Sequence, residues 1–182
     1  MQILLVSANF RPSVGGVERF TEILAEGLAE RGHLVTVVAC RTGGAPLEEE
    51  RHGVRILRIP ASELPRARLG VPYPLPAPRA CLRTLAPLVR KADVVHVQDV
   101  LYVTSLAALV LARRNGVRSV LTQHVAFVPQ RRRGLDAAQR VALATLGRAA
   151  RLADVVASYN PTVAEWARVR WRLRDVRLLP VG

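Results

Sequence analysis

The sequence predicts an α/β domain built on a mainly parallel sheet with helices on both faces. Three observations carry that expectation. Short apolar runs alternate with amphipathic ones along nearly all of the chain. Half of its 182 residues are apolar, enough to bury one core at this length, so residues 1–182 read as a single domain. The unusual polar residues fall at the carboxyl ends of the apolar runs, where an open parallel sheet binds its ligands.

The first strand, near residues 2–7, contains the continuous run Ile3-Leu4-Leu5-Val6, as expected of a strand covered on both faces. A helix follows near 17–31. Val17, Phe20, Leu24 and Leu28 form its apolar stripe, Glu18, Glu22, Glu26 and Glu30 read as a solvated stripe, and Gly32 stands where a left-handed cap belongs. Strands near 35–40 and 54–59 come next with no helix between them. Residues 60–78 hold six of the twelve prolines and read as a long loop. Beyond it the alternation is regular, with strands near 94–97, 119–122, 155–158 and 176–179 and helices near 79–91, 103–115, 135–152 and 161–170. Asn160-Pro161 supplies an N-cap followed by a proline in the first helical position.

The longest apolar run, Leu101 to Ala112, already contains Thr104 and Ser105 and stops at Arg113-Arg114, short of the roughly 18 residues that a membrane span needs. The chain opens directly into a strand without a basic leader, so a cytoplasmic protein is expected. Cys40 and Cys81 read as reduced core residues. Charge is uneven. Residues 1–112 carry 13 basic and 10 acidic side chains, residues 113–182 carry 14 and 4, and the whole chain stands at +13. Such a field attracts nucleic acid, anionic lipid or a phosphorylated substrate. Nucleic acid is set aside, because the basic stretches lack interleaved aromatics and match no known reader motif.

Chemistry is expected at the strand ends. Gly15-Gly16, ahead of a helix, leaves bare backbone N–H groups open to a phosphate or sugar hydroxyl, which points to a nucleotide-sugar or phosphate-bearing substrate. His96, Gln98 and Asp99 close one strand; Thr122, Gln123 and His124 close the next; Ser158 closes the one after. With the first strand beside 94–97, and that beside 119–122, these groups come within roughly 10 Å of each other. The chain has no Gly-x-Gly-x-x-Gly after the first strand, no P-loop and no Asp-x-Asp, so neither a dinucleotide cofactor nor a chain-held metal is indicated.

On these residues the chain resembles the N-terminal half of a family 4 glycosyltransferase, a retaining enzyme of GT-B architecture whose N-terminal half is Rossmann-like. The matching pieces are Gly15-Gly16-Val17-Glu18, Asp93-Val94-Val95-His96, Thr122-Gln123-His124, Ala153-Asp154-Val155-Val156-Ala157-Ser158 and Val176-Arg177-Leu178-Leu179-Pro180-Val181-Gly182, in family order. The resemblance implies a half that binds the acceptor, with a second domain, absent from this sequence, binding a nucleotide-diphosphate sugar as co-substrate. It implies that Gly15 and Gly16 lie near the donor phosphate and that His124 lines the cleft beside the transferred sugar. The family often carries His-x-His where His96-Val97-Gln98 stands, and Pro-Asn-Gly where Pro180-Val181-Gly182 stands.

Glu18 either contacts the acceptor or belongs to the solvated stripe, and His96 is either a ligand or a satisfied core histidine. Gln98, Asp99 and Gln123 are candidates for the acceptor, Asp99 with a loop-capping alternative. Arg131, within Arg131-Arg132-Arg133, is either a solvated charge or, with Arg140, Arg148 and Arg151, part of a contact with anionic lipid at the inner membrane face or with an anionic acceptor. The acceptor itself is a sugar, a lipid-linked group or another hydroxyl carrier. A stand-alone sugar-phosphate or nucleotide binding module and a GT-B-fold sugar epimerase are the rival readings.

Overall fold

The structure is a computed structural model that describes residues 1–62, 74–127 and 133–180. Arg131 and most of the proline-rich 60–78 segment lie outside the described residues. In chain order the elements are β1 (Gln2–Val6), α1 (Gly16–Glu30), β2 (Leu34–Cys40), β3 (Glu48–Arg51), β4 (Val54–Ile59), β5 (Ala61–Ser62), β6 (Leu75–Pro76), α2 (Pro78–Lys91), β7 (Val94–Gln98), α3 (Val103–Asn115), β8 (Arg118–Thr122), α4 (Arg133–Thr145), a 3₁₀ turn (Leu146–Leu152), β9 (Val155–Ser158), α5 (Pro161–Trp171) and β10 (Arg177–Leu178). The main sheet runs β10-β9-β8-β7-β1-β2-β4-β3, parallel except for β3, while β5 and β6 form a separate pair.

Strand periodicity sorts the core into two layers. Leu4, Val6, Val95, Val97 and Leu121 point to the face covered by α2, α3 and α5. Ile3, Leu5, Val35, Val37 and Ile56 point to the other, where α1 packs through Ala25, Leu24 and Leu28. The segment without a helix between β2 and β4 is spanned by β3, which turns into β4 through His52-Gly53. Both turn residues have positive φ, as a type I′ hairpin requires. Three glutamates on β3 charge this outer edge of the sheet.

Two expectations are corrected. The glutamate stripe of α1 is not a solvated face. Glu22 is buried and takes ion pairs from Arg11 and Arg19, and Glu26 pairs with His52. The loop after β1 folds back over the helix and brings Arg11 to it, a contact that helical spacing does not encode. The segment near 135–152 is not one helix but α4 followed by the 3₁₀ turn. Trp171 packs on the junction: its indole N–H donates to the Leu143 carbonyl at 2.9 Å, and its ring lies against Gly147 so closely that a Cβ there would collide. Asn160 caps α5 as expected, accepting from the amides of Thr162 and Val163.

Candidate functional site

The strand order reverses at β1. From there the chain builds outward through β2 and β4 on one side and β7 to β10 on the other, so the switch point lies between β1 and β7. On the α1 face, β7 presents His96 and then Gln98, and β8 presents Thr122 with His124 two residues further on. Gln98 pairs in register with Thr122, and His96 with Val120. β1, β7 and β8 are thus neighbours, the condition under which the strand-end groups converge, and the polar pairs of two neighbouring strands meet on one face.

His124 is the centre of this group. Its imidazole is 3 % exposed, with Phe20 of α1 edge-on at 5.0 Å and Tyr159 at 5.4 Å. Its Nε2 lies 2.8 Å from Oε1 of the fully buried Gln98. A carbonyl oxygen accepts, so Nε2 carries the proton and Nδ1 is left with a lone pair. Burial pushes the imidazole down to about 4, so it is neutral at neutral pH. His96, whose Nε2 meets the Thr122 hydroxyl at 2.8 Å, is also pushed down to about 4, first by burial and then by the neighbouring His124.

Among the described residues, four buried side-chain atoms here have no hydrogen-bond partner: Ser7 Oγ, Asn9 Oδ1, Gln98 Nε2 and His124 Nδ1. Among the described residues the fifth such atom is Arg58 Nε, beyond β2 on the other side of the sheet. Each buried polar group left unmade costs about 1–3 kcal/mol. Four of the five lie together at the carboxyl ends of β1, β7 and β8.

Asp99 and Gln123 hold this place in shape. Asp99 has φ +52°, accepts the His124 amide at 2.8 Å, and donates its own amide to the Thr122 carbonyl. Burial pushes its carboxyl up to about 6, opposed by the amides of His124 and Val125, with Glu18 adding to the rise. The Gln123 carboxamide accepts the Val100 amide and donates to the Val125 carbonyl, engaged at both ends. The glycine turn belongs to the same rim, since Phe20 touches His124 and the charge of Glu18 reaches Asp99. Glu18 folds back so that its carboxylate lies against Gly15, whereas Gly16 faces open space. Sequence reasoning placed Phe20 in the core and passed over Ser7, Asn9 and Tyr159 as site residues. Ser7 and Asn9 directly follow an apolar strand, a signal that would have found them.

These groups tie stability to pH. An imidazole near 4 in the fold, against its ordinary 6.5, binds its proton more readily in the unfolded chain. Its stabilising contribution is complete above about pH 6.5 and is lost as pH falls toward 4. Asp99 acts in reverse: its contribution is present at low pH and is lost as pH rises through about 6. Two imidazoles outweigh one carboxyl by about one proton, so the domain should lose about 1–2 kcal/mol between pH 6.5 and 5. Thermal melts at the two pH values check this, and His124→Gln should flatten the difference.

A parallel sheet with this strand order and helices on both faces is a Rossmann-like domain. Residues 14–182 match the family model described as Glycosyltransferase Family 4, and the chain belongs to that family. Over 124 residues, 66 % of this chain and 31 % of the relative, it is 32 % identical to a GDP-mannose-dependent alpha-mannosyltransferase of Mycolicibacterium smegmatis. It is 40 % identical over 65 residues, 35 % of this chain, to an uncharacterized 42.6 kDa protein in the cps region of Klebsiella pneumoniae, covering 17 % of that protein. The chain thus spans about a third or less of these curated relatives. The fold matches a sucrose-phosphate synthase structure from Thermosynechococcus elongatus with TM-score 0.59 at 18 % identity, covering 100 % of this chain and 90 % of that one. It matches Acinetobacter baumannii MurG with TM-score 0.52 at 21 % identity, over 89 % and 42 % of the two chains.

Proposed function

We propose that this chain is the acceptor-side half of a retaining glycosyltransferase, which moves a sugar from a nucleotide-diphosphate sugar to an acceptor hydroxyl with its anomeric configuration kept. The observation that carries this reading is the cluster of unpartnered buried atoms at the switch point. Ser7, Asn9, Gln98 and His124 offer hydrogen-bond donors and acceptors without net charge, the complement of a hydroxyl-rich, uncharged body such as a sugar ring. His124 accepts a sugar hydroxyl at Nδ1, and the Gln98 amide donates to an oxygen beside it. Gly16 offers its open backbone to the donor phosphate, with Glu18 swinging off Gly15 to complete the turn. A second domain, outside this sequence, supplies the nucleotide site. Asp99 and Gln123 act as positioning residues, and His96 supports Thr122.

Among the described residues no helix is long and apolar enough to cross a membrane. The proposed setting is cytoplasmic, and α4 supplies a peripheral contact with the inner membrane face. There Val141 is 62 % exposed beside Arg140, whose guanidinium stacks on Phe127 at 4.3 Å.

GDP-mannose, named for the Mycolicibacterium relative, is the donor to try first. In an assay of the two-domain protein with a sugar acceptor, NMR of the product should find the donor's anomeric configuration, whereas the 182-residue chain alone should give no turnover. An inverted product would overturn the retaining assignment. A sugar epimer released without any acceptor would point to the epimerase reading instead.

A further inference from the structure

A large cavity lies at the opposite end of the sheet from the crevice. It measures about 640 Å³ and opens at the amino ends of β9 and β10, with Val155, Val156 and Leu173 in its wall. Arg151, Arg172, Arg174 and Arg177 line it together with Asp154 and Asp175. Neither carboxylate is paired with these guanidinium groups. Asp154 is turned to β8, where it accepts the amide and hydroxyl of Ser119, and no ion pair among the described residues involves any of the four arginines.

Two of the arginines are held by the fold. Arg151, which lines the cavity, donates its Nε to the Trp171 carbonyl at 2.7 Å. Arg172 caps α5 at φ +52° and ψ +51°, a left-handed conformation for which glycine is the undemanding choice. A long cationic side chain stands there although the backbone would be better served without one.

We propose that this cavity is a binding site for a phosphate monoester. Four guanidinium groups against two carboxylates leave a charge of +2, which matches the charge of about −2 on a phosphate monoester at neutral pH. Guanidinium forks pair with phosphate oxygens through two parallel hydrogen bonds, and the apolar wall takes the body that carries the phosphate. The same headgroup chemistry occurs on a soluble ester and on a lipid. The assignment is independent of the sugar-transfer reading, since it uses none of the crevice residues.

Calorimetry on the full chain with glycerol 3-phosphate, and sedimentation with phosphatidic acid vesicles against phosphatidylcholine vesicles, distinguish the two sources. The expected result is saturable binding to at least one phosphate probe, weakened about tenfold or more in R172G/R174S. The glycine at 172 suits the backbone there, and R172G alone should melt no lower than the parent while weakening binding. The control R79S/R83S removes the same charge from the exposed face of α2, which packs over β1 and β4. It should change binding by less than about twofold, as general screening predicts. Binding of the soluble ester assigns the site to a free phosphate compound, and binding of the vesicles alone assigns it to a lipid headgroup. No saturable binding to either probe, or equal weakening in the two double variants, overturns the proposal.

Discussion

Trp171→Ala is expected to lower the stability of the domain by about 3–5 kcal/mol and its melting temperature by roughly 6–20 °C. Trp171 is the largest fully buried side chain, closes α5, and ties that helix to two other elements. Its indole donates to the Leu143 carbonyl on α4, its ring fills the space over Gly147 in the 3₁₀ turn, and Trp166 meets it edge-on at 5.1 Å. Truncation therefore removes an aromatic volume, leaves a cavity that three separate elements would have to close, and orphans a buried carbonyl. Two milder variants separate these contributions. Trp171→Phe keeps most of the volume and loses the indole donor, so about 1–2 kcal/mol is expected from the unpaired carbonyl. Gly147→Ala leaves the tryptophan in place but drives a methyl group into it, with about 1–3 kcal/mol lost to overpacking. Denaturant unfolding of the three variants gives the order Ala first, with Phe and the Gly147 variant well behind. A loss below about 1 kcal/mol for Trp171→Ala would mean that α5 is not anchored through this side chain.

The same residue shows where sequence reasoning succeeds and where it stops. Strand and helix positions were readable because period 2 and period 3.6 are local properties, and the Asn160 cap because its partners are two and three residues away. The adjacency of β1, β7 and β8 entered the sequence reading as a condition, one that open parallel sheets commonly meet, and the strand order meets it. The segment near 135–152 breaks at Leu146, where Trp171, 25 positions later, packs against Leu143 and Gly147, and nothing within the segment announces that contact. Glu22 is a similar case: its spacing with Glu18 and Glu26 reads as a solvated stripe, and its burial against Arg11 depends on how a loop folds back. At the site, residue types were readable and partners were not. Gln98 and His124 both stood out as polar groups ending apolar strands. Which atoms satisfy each other and which stay free, with Asp99 and Gln123 spent on neighbouring backbone, required the coordinates.

If His124 makes the sugar contact proposed for it, His124→Ala in the whole transferase is expected to lower kcat/KM by about a hundredfold, the value of one well-placed hydrogen bond of about 2.7 kcal/mol. The structure makes a sharper comparison available. His124 offers its two nitrogens to different partners: Nε2 donates to Gln98, and Nδ1 is buried with its lone pair free. An asparagine places its amide oxygen near the Nδ1 position, whereas a glutamine reaches toward the Nε2 position and can keep the hydrogen bond to Gln98. If His124 served the fold alone, glutamine would be the better replacement, because it preserves the internal contact and more of the volume beneath Phe20 and Tyr159. If Nδ1 accepts a sugar hydroxyl, the order is the reverse: His124→Asn should retain activity within about tenfold of the parent, while His124→Gln should fall as far as alanine. Stability measured on the same variants should rank glutamine above asparagine. That opposition between the stability order and the activity order is what a purely structural histidine would not produce. Activity that follows stability through the series would remove His124 from the reacting centre and leave it as a support for Gln98.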